Sequence, residues 1–247
     1  GQNGPYRLRP GHDINYLAFC GLLDATGTKE APTPPSPPVS DYASAIQAAV
    51  TVLGAVVSRF QTNQGAYLDV GMADTVLAWH STAMTNVHRE GYSLTRGEGM
   101  ESGARADYHV YATADDRFIA LGAQESHFWE NFCQAVGHPE WVSRHDDSIP
   151  QKALIAEVSA MFARQPLAYW RDVLDHADCC FEPVLTHSEL AAHPQTLARQ
   201  MARQEHWPDP LMQTAFPAWI DGNPPAASAA PRYASAQEIV QAWTNED

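Results

Sequence analysis

"SDYASAIQAAVTVLGAVVSRFQTNQGAYLDVGM", residues 40–72, changes its periodicity partway along. Ile46, Ala49, Val50, Leu53, Val57 and Phe60 recur at helical spacing. Ser40 and Asp41 stand ahead of that run, and both residue types accept hydrogen bonds from the free N–H groups of a first helical turn. The spacing predicts a helix starting near Ser40 or Asp41, with the Asp41 carboxylate at the positive end of the helix dipole. "TNQG" then turns the chain, and "AYLDVGM" predicts a short strand. Helix, turn and strand in succession point to a mixed α/β fold.

Working outward, the segment before this helix, "GTKEAPTPPSPPVS" (27–40), carries five prolines and predicts a loop. Further upstream, "GHDINYLAFCG" (11–21) sets a histidine, an aspartate and an asparagine just ahead of an apolar run. Downstream, a second helix is expected over about 73–88, with Val76, Leu77, His80, Met84 and Val87 on one side. Residues 89–106, rich in glycine and charge, predict a linker. From Asp107 the pattern changes. "YHVYA" and "RFIALGA", joined by "TADD", predict a β-hairpin. Helices are expected at about 125–136, 151–164 and 166–176, and "CCFEPVL" predicts a strand. "THSE" (186–189) and "SAQE" (235–238) match capping boxes, and a short helix closes the chain.

The chain has 247 residues and is 45% apolar, enough for one large domain or two modest ones. Its formal charge is -14, with 15 Lys and Arg scattered along it, which argues against a nucleic-acid partner. The longest apolar stretch, "AIQAAVTVLGAVV", is interrupted by Gln47, Thr51 and Gly54. It falls short of the roughly 18 apolar residues of a bilayer span, and the opening residues do not read as a signal peptide. Cys20, Cys133, Cys179 and Cys180 form no CxxC pair or zinc spacing, so a reduced, cytoplasmic compartment is expected. HExxH, GxGxxG and phosphate-loop patterns are absent, and no metal site is expected.

Taken one at a time, the candidate residues have ordinary explanations. His12 and Asp13 form a dipeptide of the kind that is solvated in most loops. Asp41 is an ordinary helix cap. Glu125, in "GAQESHFW", suits the first turn of a helix, and His127 a surface. Cys179 and Cys180 read as small packed groups. Phe128, Trp129 and Phe132 read as core.

Taken together, the blocks carry more. "GQNGPYRLRPGHDINYLAFCGLL", the proline-rich loop, "SDYASAIQAAVTVLGAVVSRFQTNQGAYLDVGM", "ADYHVYATADDRFIALGAQESHFWENF" and "CCFEPVLTHSEL" resemble, in this order, the family III CoA-transferases, in particular their α-methylacyl-CoA racemase branch. The resemblance implies a large Rossmann-like α/β domain and a smaller α+β domain joined by long linkers, in an interlocked homodimer. It places residues 1–72 in the CoA-binding large domain, 73–106 in a linker, 107–195 in the small domain, 196–214 in a return linker and 215–247 back in the large domain. It also implies that a Rossmann-like half precedes Gly1, carrying most contacts to the CoA phosphates.

By the same resemblance, His12 and Asp41 are the two acid/base groups. Glu125 pairs with the histidine, and Asp13 and Tyr16 line the pocket. The implied reaction is α-proton transfer on a 2-methylacyl-CoA, with the thioester as substrate and no other cofactor. "YASA" after Asp41, where racemases carry a glycine-rich stretch, is similar to the carnitine-type transferases. Asp41 would there carry an aspartyl-CoA thioester during CoA transfer between acids. A catalytically silent chain that only dimerises or binds a partner is the third reading.

Overall fold

The computed structural model describes residues 1–91, 95–206, 210–224 and 234–244. It is a mixed α/β structure of helices and small sheets in two compact units, Gly1–Pro183 and Val184–Asp247.

The first unit begins with α1 (Asp13–Phe19), α2 (Leu22–Ala25), α3 (Val39–Thr62), α4 (Met72–Trp79) and α5 (Ser81–Glu90). His12 is the residue ahead of α1, and its backbone N–H donates to Asn15 Oδ1 at 3.0 Å. The α3 helix starts at Val39, one residue before the expected position, because Pro38 is extended and ends the preceding loop. It stops at Asn63, whose left-handed φ of 54° suits a short polar side chain, and whose N–H donates to the Arg59 carbonyl at 2.8 Å.

Two expectations change here. Residues 63–71 form no strand, because no other segment among the described residues offers them a ladder of hydrogen bonds. The expected helix over 73–88 is two helices meeting at His80. The His80 N–H closes α4 on the Leu77 carbonyl (3.0 Å), and its carbonyl opens α5 by accepting the Met84 N–H (2.8 Å).

Residues 108–183 follow the sequence closely. Strands β1 (Tyr108–Ala112), β2 (Phe118–Gly122) and β3 (Phe181–Pro183) form an antiparallel sheet in that order, with Val110 opposite Ala120 and Ala120 opposite Glu182. Helices α6 (Ser126–Ala135), α7 (Lys152–Phe162) and α8 (Leu167–Leu174) cover one face. Alternation along the strands turns Tyr111, Ile119 and Leu121 inward, where they join Trp129, Phe132, Val158, Phe162 and Trp170 in the main core. Asp107, fully buried, is held at its edge. Its carboxylate accepts from Arg105 and lies 2.7 Å from His145 Nε2. Gln151 ties the same corner, accepting the Ala106 N–H at 2.9 Å and donating to the His145 carbonyl at 2.9 Å.

The N-terminal helices have a much smaller core of Leu17, Cys20, Ala43 and Val76. Ser40 and Ala43 are the buried residues of α3, while Ile46, Val50, Leu53, Val57 and Phe60 are exposed. An 18-residue window of α3 has a mean hydropathy of 1.5, so by length and composition this helix could cross a membrane. Gln47, Thr51 and Gly54 do not lower the average enough to prevent that. One such helix is weak evidence for a span, and α3 also carries Asp41 and Arg59.

The second unit holds α9 (His187–Leu190), α10 (Pro194–Ala198), a hairpin of β4 (Ala202–His206) and β5 (Pro210–Thr214), and α11 (Ala236–Thr244). Both expected capping boxes form. The Thr186 N–H donates to Glu189 Oε2 at 2.7 Å, and the Ser235 N–H to Glu238 Oε2 at 2.6 Å.

Candidate active site

Two helix starts are tied together in the first unit. Asp13 is the first residue of α1, and its Oδ1 accepts both the Ser40 backbone N–H and the Ser40 hydroxyl, each at 2.7 Å. Ser40 is fully buried in the first turn of α3. The carboxylate thereby satisfies one of the amides that a helix start leaves free, at the positive end of the α3 dipole. His12 precedes Asp13 and Asp41 follows Ser40, so each lies one residue from the tie.

His12 and Asp41 are exposed, and among the described residues neither side chain makes a hydrogen bond or ion pair. The Asp41 backbone N–H is also without a partner among them. A reacting molecule could therefore meet an imidazole, a carboxylate and a free amide donor at the linked ends of α1 and α3. Tyr16, on the next turn of α1, folds its ring back on Gly11. A β-carbon at position 11 would come within 3.2 Å of Tyr16 Cζ, so the glycine makes room for the ring.

Glu125 follows β2 and stands at the start of α6, where its carbonyl accepts the Trp129 N–H at 3.1 Å. Its carboxylate is exposed, and among the described residues no hydrogen bond or ion pair joins it to His12 or Asp41. Asp13 and Ser40 are thus brought together, while among the described residues no hydrogen bond or ion pair joins the side chains of His12, Asp41 and Glu125 to one another. Asp13 itself is a fastening residue here. Among the described residues, no three His, Cys, Asp or Glu side chains cluster closely enough to hold a metal ion.

Two details went unread in the sequence. Ser40 is more than a cap candidate, since its amide and hydroxyl both hold α1. Cys179 is buried, as expected, but Cys180 is exposed with a left-handed φ of 52°. Burial on part of its surface, then the carboxylates of Glu125 and Asp178, push the Cys180 thiol above its ordinary range, which puts Glu125 within electrostatic reach of it. Both cysteines precede β3, and the left-handed turn at Cys180 is not marked by its residue type, so the sequence offered no local signal that separates the two.

Comparison with known proteins gives this arrangement a context. The chain matches the CoA-transferase family III over residues 1–235. It is 32% identical over 206 residues to the α-methylacyl-CoA racemase of Homo sapiens, covering 81% of this chain and 53% of that protein. It is 29% identical over 209 residues to the acetyl-CoA:oxalate CoA-transferase of Acetobacter aceti, with 81% and 53% covered. The chain spans about half the length of the curated relatives it matches. Among solved structures, a CAIB/BAIF family protein from Brucella suis superposes with a TM-score of 0.76 at 20% identity, covering 98% of this chain and 65% of that one. The fold is thus shared almost end to end. With the family match running from the first residue to the last helix, the chain belongs to CoA-transferase family III.

Proposed function

We propose that the protein moves the α-proton of an acyl-CoA thioester, with His12 and Asp41 as the acid/base pair. The observation that carries this reading is the Asp13–Ser40 tie, which sets the free imidazole and free carboxylate at two linked helix starts. The α-proton of a thioester is weakly acidic, and the enolate places its charge on the thioester oxygen. One group removes the proton as a base. The other, protonated, returns a proton to the same carbon from the opposite face, so one hydrogen is lost and one gained. The free amide of Asp41 at the start of α3 is suited to the developing oxyanion. Glu125, brought near by further packing, would favour the charged imidazole.

The relatives named as racemases support this reaction. The relative named acetyl-CoA:oxalate CoA-transferase and the "YASA" stretch after Asp41 support a second reading, CoA transfer through attack of Asp41 on the thioester carbonyl. Both readings take the CoA thioester as the substrate. The proposal also includes an interlocked homodimer with a Rossmann-like large domain, working in the cytoplasm.

The test is solvent exchange. A 2-methylacyl-CoA incubated with the protein in deuterium oxide should gain one deuterium at Cα, and His12→Ala should slow that gain by about two to four orders of magnitude. CoA transfer between acids with no Cα exchange would overturn proton transfer in favour of the second reading.

A further inference from the structure

The fully buried Asp107 stands where the two approaches to Glu125 meet. Its carboxylate accepts from Arg105 Nε at 2.8 Å and lies 2.7 Å from His145 Nε2, and the Arg105 guanidinium also donates to the His145 carbonyl at 3.3 Å. Its backbone carbonyl accepts the Ala123 N–H at 2.7 Å. That bond is one rung beyond the paired residues of β1 and β2, and it ends two residues before Glu125. The Gln124 N–H then donates to the Gly122 carbonyl at 3.0 Å, which turns the chain at once into the extended Glu125 and α6. On the other side of Glu125, its carbonyl accepts the Trp129 N–H at 3.1 Å. The buried Trp129 ring stacks on the His145 imidazole, with centroids 6.1 Å and planes 26° apart. The same indole donates to the Trp141 carbonyl at 3.0 Å, which fixes its tilt. Glu125 is thus suspended between two points of one cluster.

We propose that Arg105, Asp107 and His145 are positioning residues for Glu125, holding the strand end before it and the helix turn after it in one fixed relation. The proposal rests on the reading of Glu125 as the partner of the His12 imidazole, and deepens it. The Glu125 carboxylate is exposed, so its direction follows from its backbone. A working carboxylate has to be held within about half an ångström of its place by groups that are themselves locked. Apolar side chains of similar volume would hold this corner together as well as buried charges do. What the charged cluster adds is direction, because a guanidinium fork meets a carboxylate in one plane.

Cys180 reports on Glu125 without CoA or turnover. The Gly122 N–H donates to the Cys180 carbonyl at 3.0 Å, which sets the exposed thiol beside the end of β2. Partial burial, then the carboxylates of Glu125 and Asp178, raise that thiol above its ordinary range. The 247-residue chain is alkylated with iodoacetamide from pH 7 to pH 10, below the melting temperature of each variant. Peptide masses give the rate at Cys180, and the buried Cys20, Cys133 and Cys179 serve as internal controls. The thiolate is the reacting species, so the ratio of the rate at pH 8 to that at pH 10 follows ionisation, whereas a change of access scales both rates alike. Glu125→Gln should raise this ratio about threefold by removing one nearby charge. His145→Ala, which takes away the bond to Asp107 and the ring beneath Trp129, should raise it about twofold as Glu125 swings free, and Asp107→Ala should do the same. In the Glu125→Gln background neither change should move the ratio further. An unchanged ratio in both cluster variants, even with a lowered melting temperature, would make the cluster purely structural and overturn the proposal. So would a shift of undiminished size in the Glu125→Gln background, or a Glu125→Gln variant with the unaltered ratio. Absence of Cα exchange with this coupling intact would instead remove the acyl-CoA reading and leave the cluster as the fixture of an exposed carboxylate.

Discussion

At the scale of single residues, the GHDINY stretch divides its labour. Gly11 yields space to Tyr16, Asn15 holds the backbone of His12, and Asp13 fastens α3, which leaves His12 free. Asp13→Ala removes the acceptor of two short hydrogen bonds, strands the Ser40 backbone N–H and leaves the buried Ser40 hydroxyl only the long bond to the residue 13 carbonyl at 3.4 Å. We expect a loss of about 2–3 kcal/mol, seen as a lower melting temperature, together with loss of Cα exchange. Asp13→Asn keeps an oxygen in place and should recover most of the stability. A full loss of stability in the asparagine variant would show that the charge, and not the acceptor, holds the tie. The sequence marks His12, Asp41 and Glu125 as candidates only through the blocks around them. The Asp13–Ser40 contact is not marked, because it joins residues 27 apart across a proline-rich loop whose path local propensity does not set.

At the scale of elements, periodicity succeeded where each element finds its partners nearby. The hairpin of β1 and β2 and helices α6 to α8 appear where apolar spacing and turn residues put them, since together they close a core. The stretch at 66–72 has strand composition but no neighbouring strand among the described residues, and composition alone cannot supply one. The Asp107 corner should be the most sensitive polar feature of this region. Asp107→Ala leaves Arg105 and His145 without their shared carboxylate, and we expect a loss of about 3–5 kcal/mol by chemical denaturation. The buried thiols add a pH dependence. Burial pushes Cys133 up to about 12 and Cys179 up to about 11. Both are raised above their unfolded values, so their contribution is complete below the unfolded pKa and declines as pH rises through the folded one. Melting temperature should therefore fall between about pH 9 and 12. Cys133→Ala should flatten part of that fall, measured against its own value at pH 7.

At the scale of the whole chain, apolar surface is distributed unevenly. Ile46, Val50, Leu53, Val57 and Phe60 on α3 stand in solvent, although the chain carries a net charge of -14. Contiguous exposed apolar surface of this kind drives association. The 247-residue chain should self-associate at micromolar concentration in light scattering, and the double change Leu53→Glu, Val57→Glu should reduce that without altering the melting of residues 108–183. Unchanged association would place the adhesive surface elsewhere. The two hydrophobic clusters also set two clocks. Amides of α6 to α8 sit over a full core and open only with the unit as a whole. Those of α1, α3 and α4 lean on four buried side chains and open by local fluctuation. Deuterium uptake should be complete in the N-terminal helices while the amides of α6 to α8 are still protected. The helix starts bearing His12 and Asp41 then belong to the fast-exchanging part of the molecule, and a ligand bridging α1 and α3 would announce itself first as a slowing of exchange there.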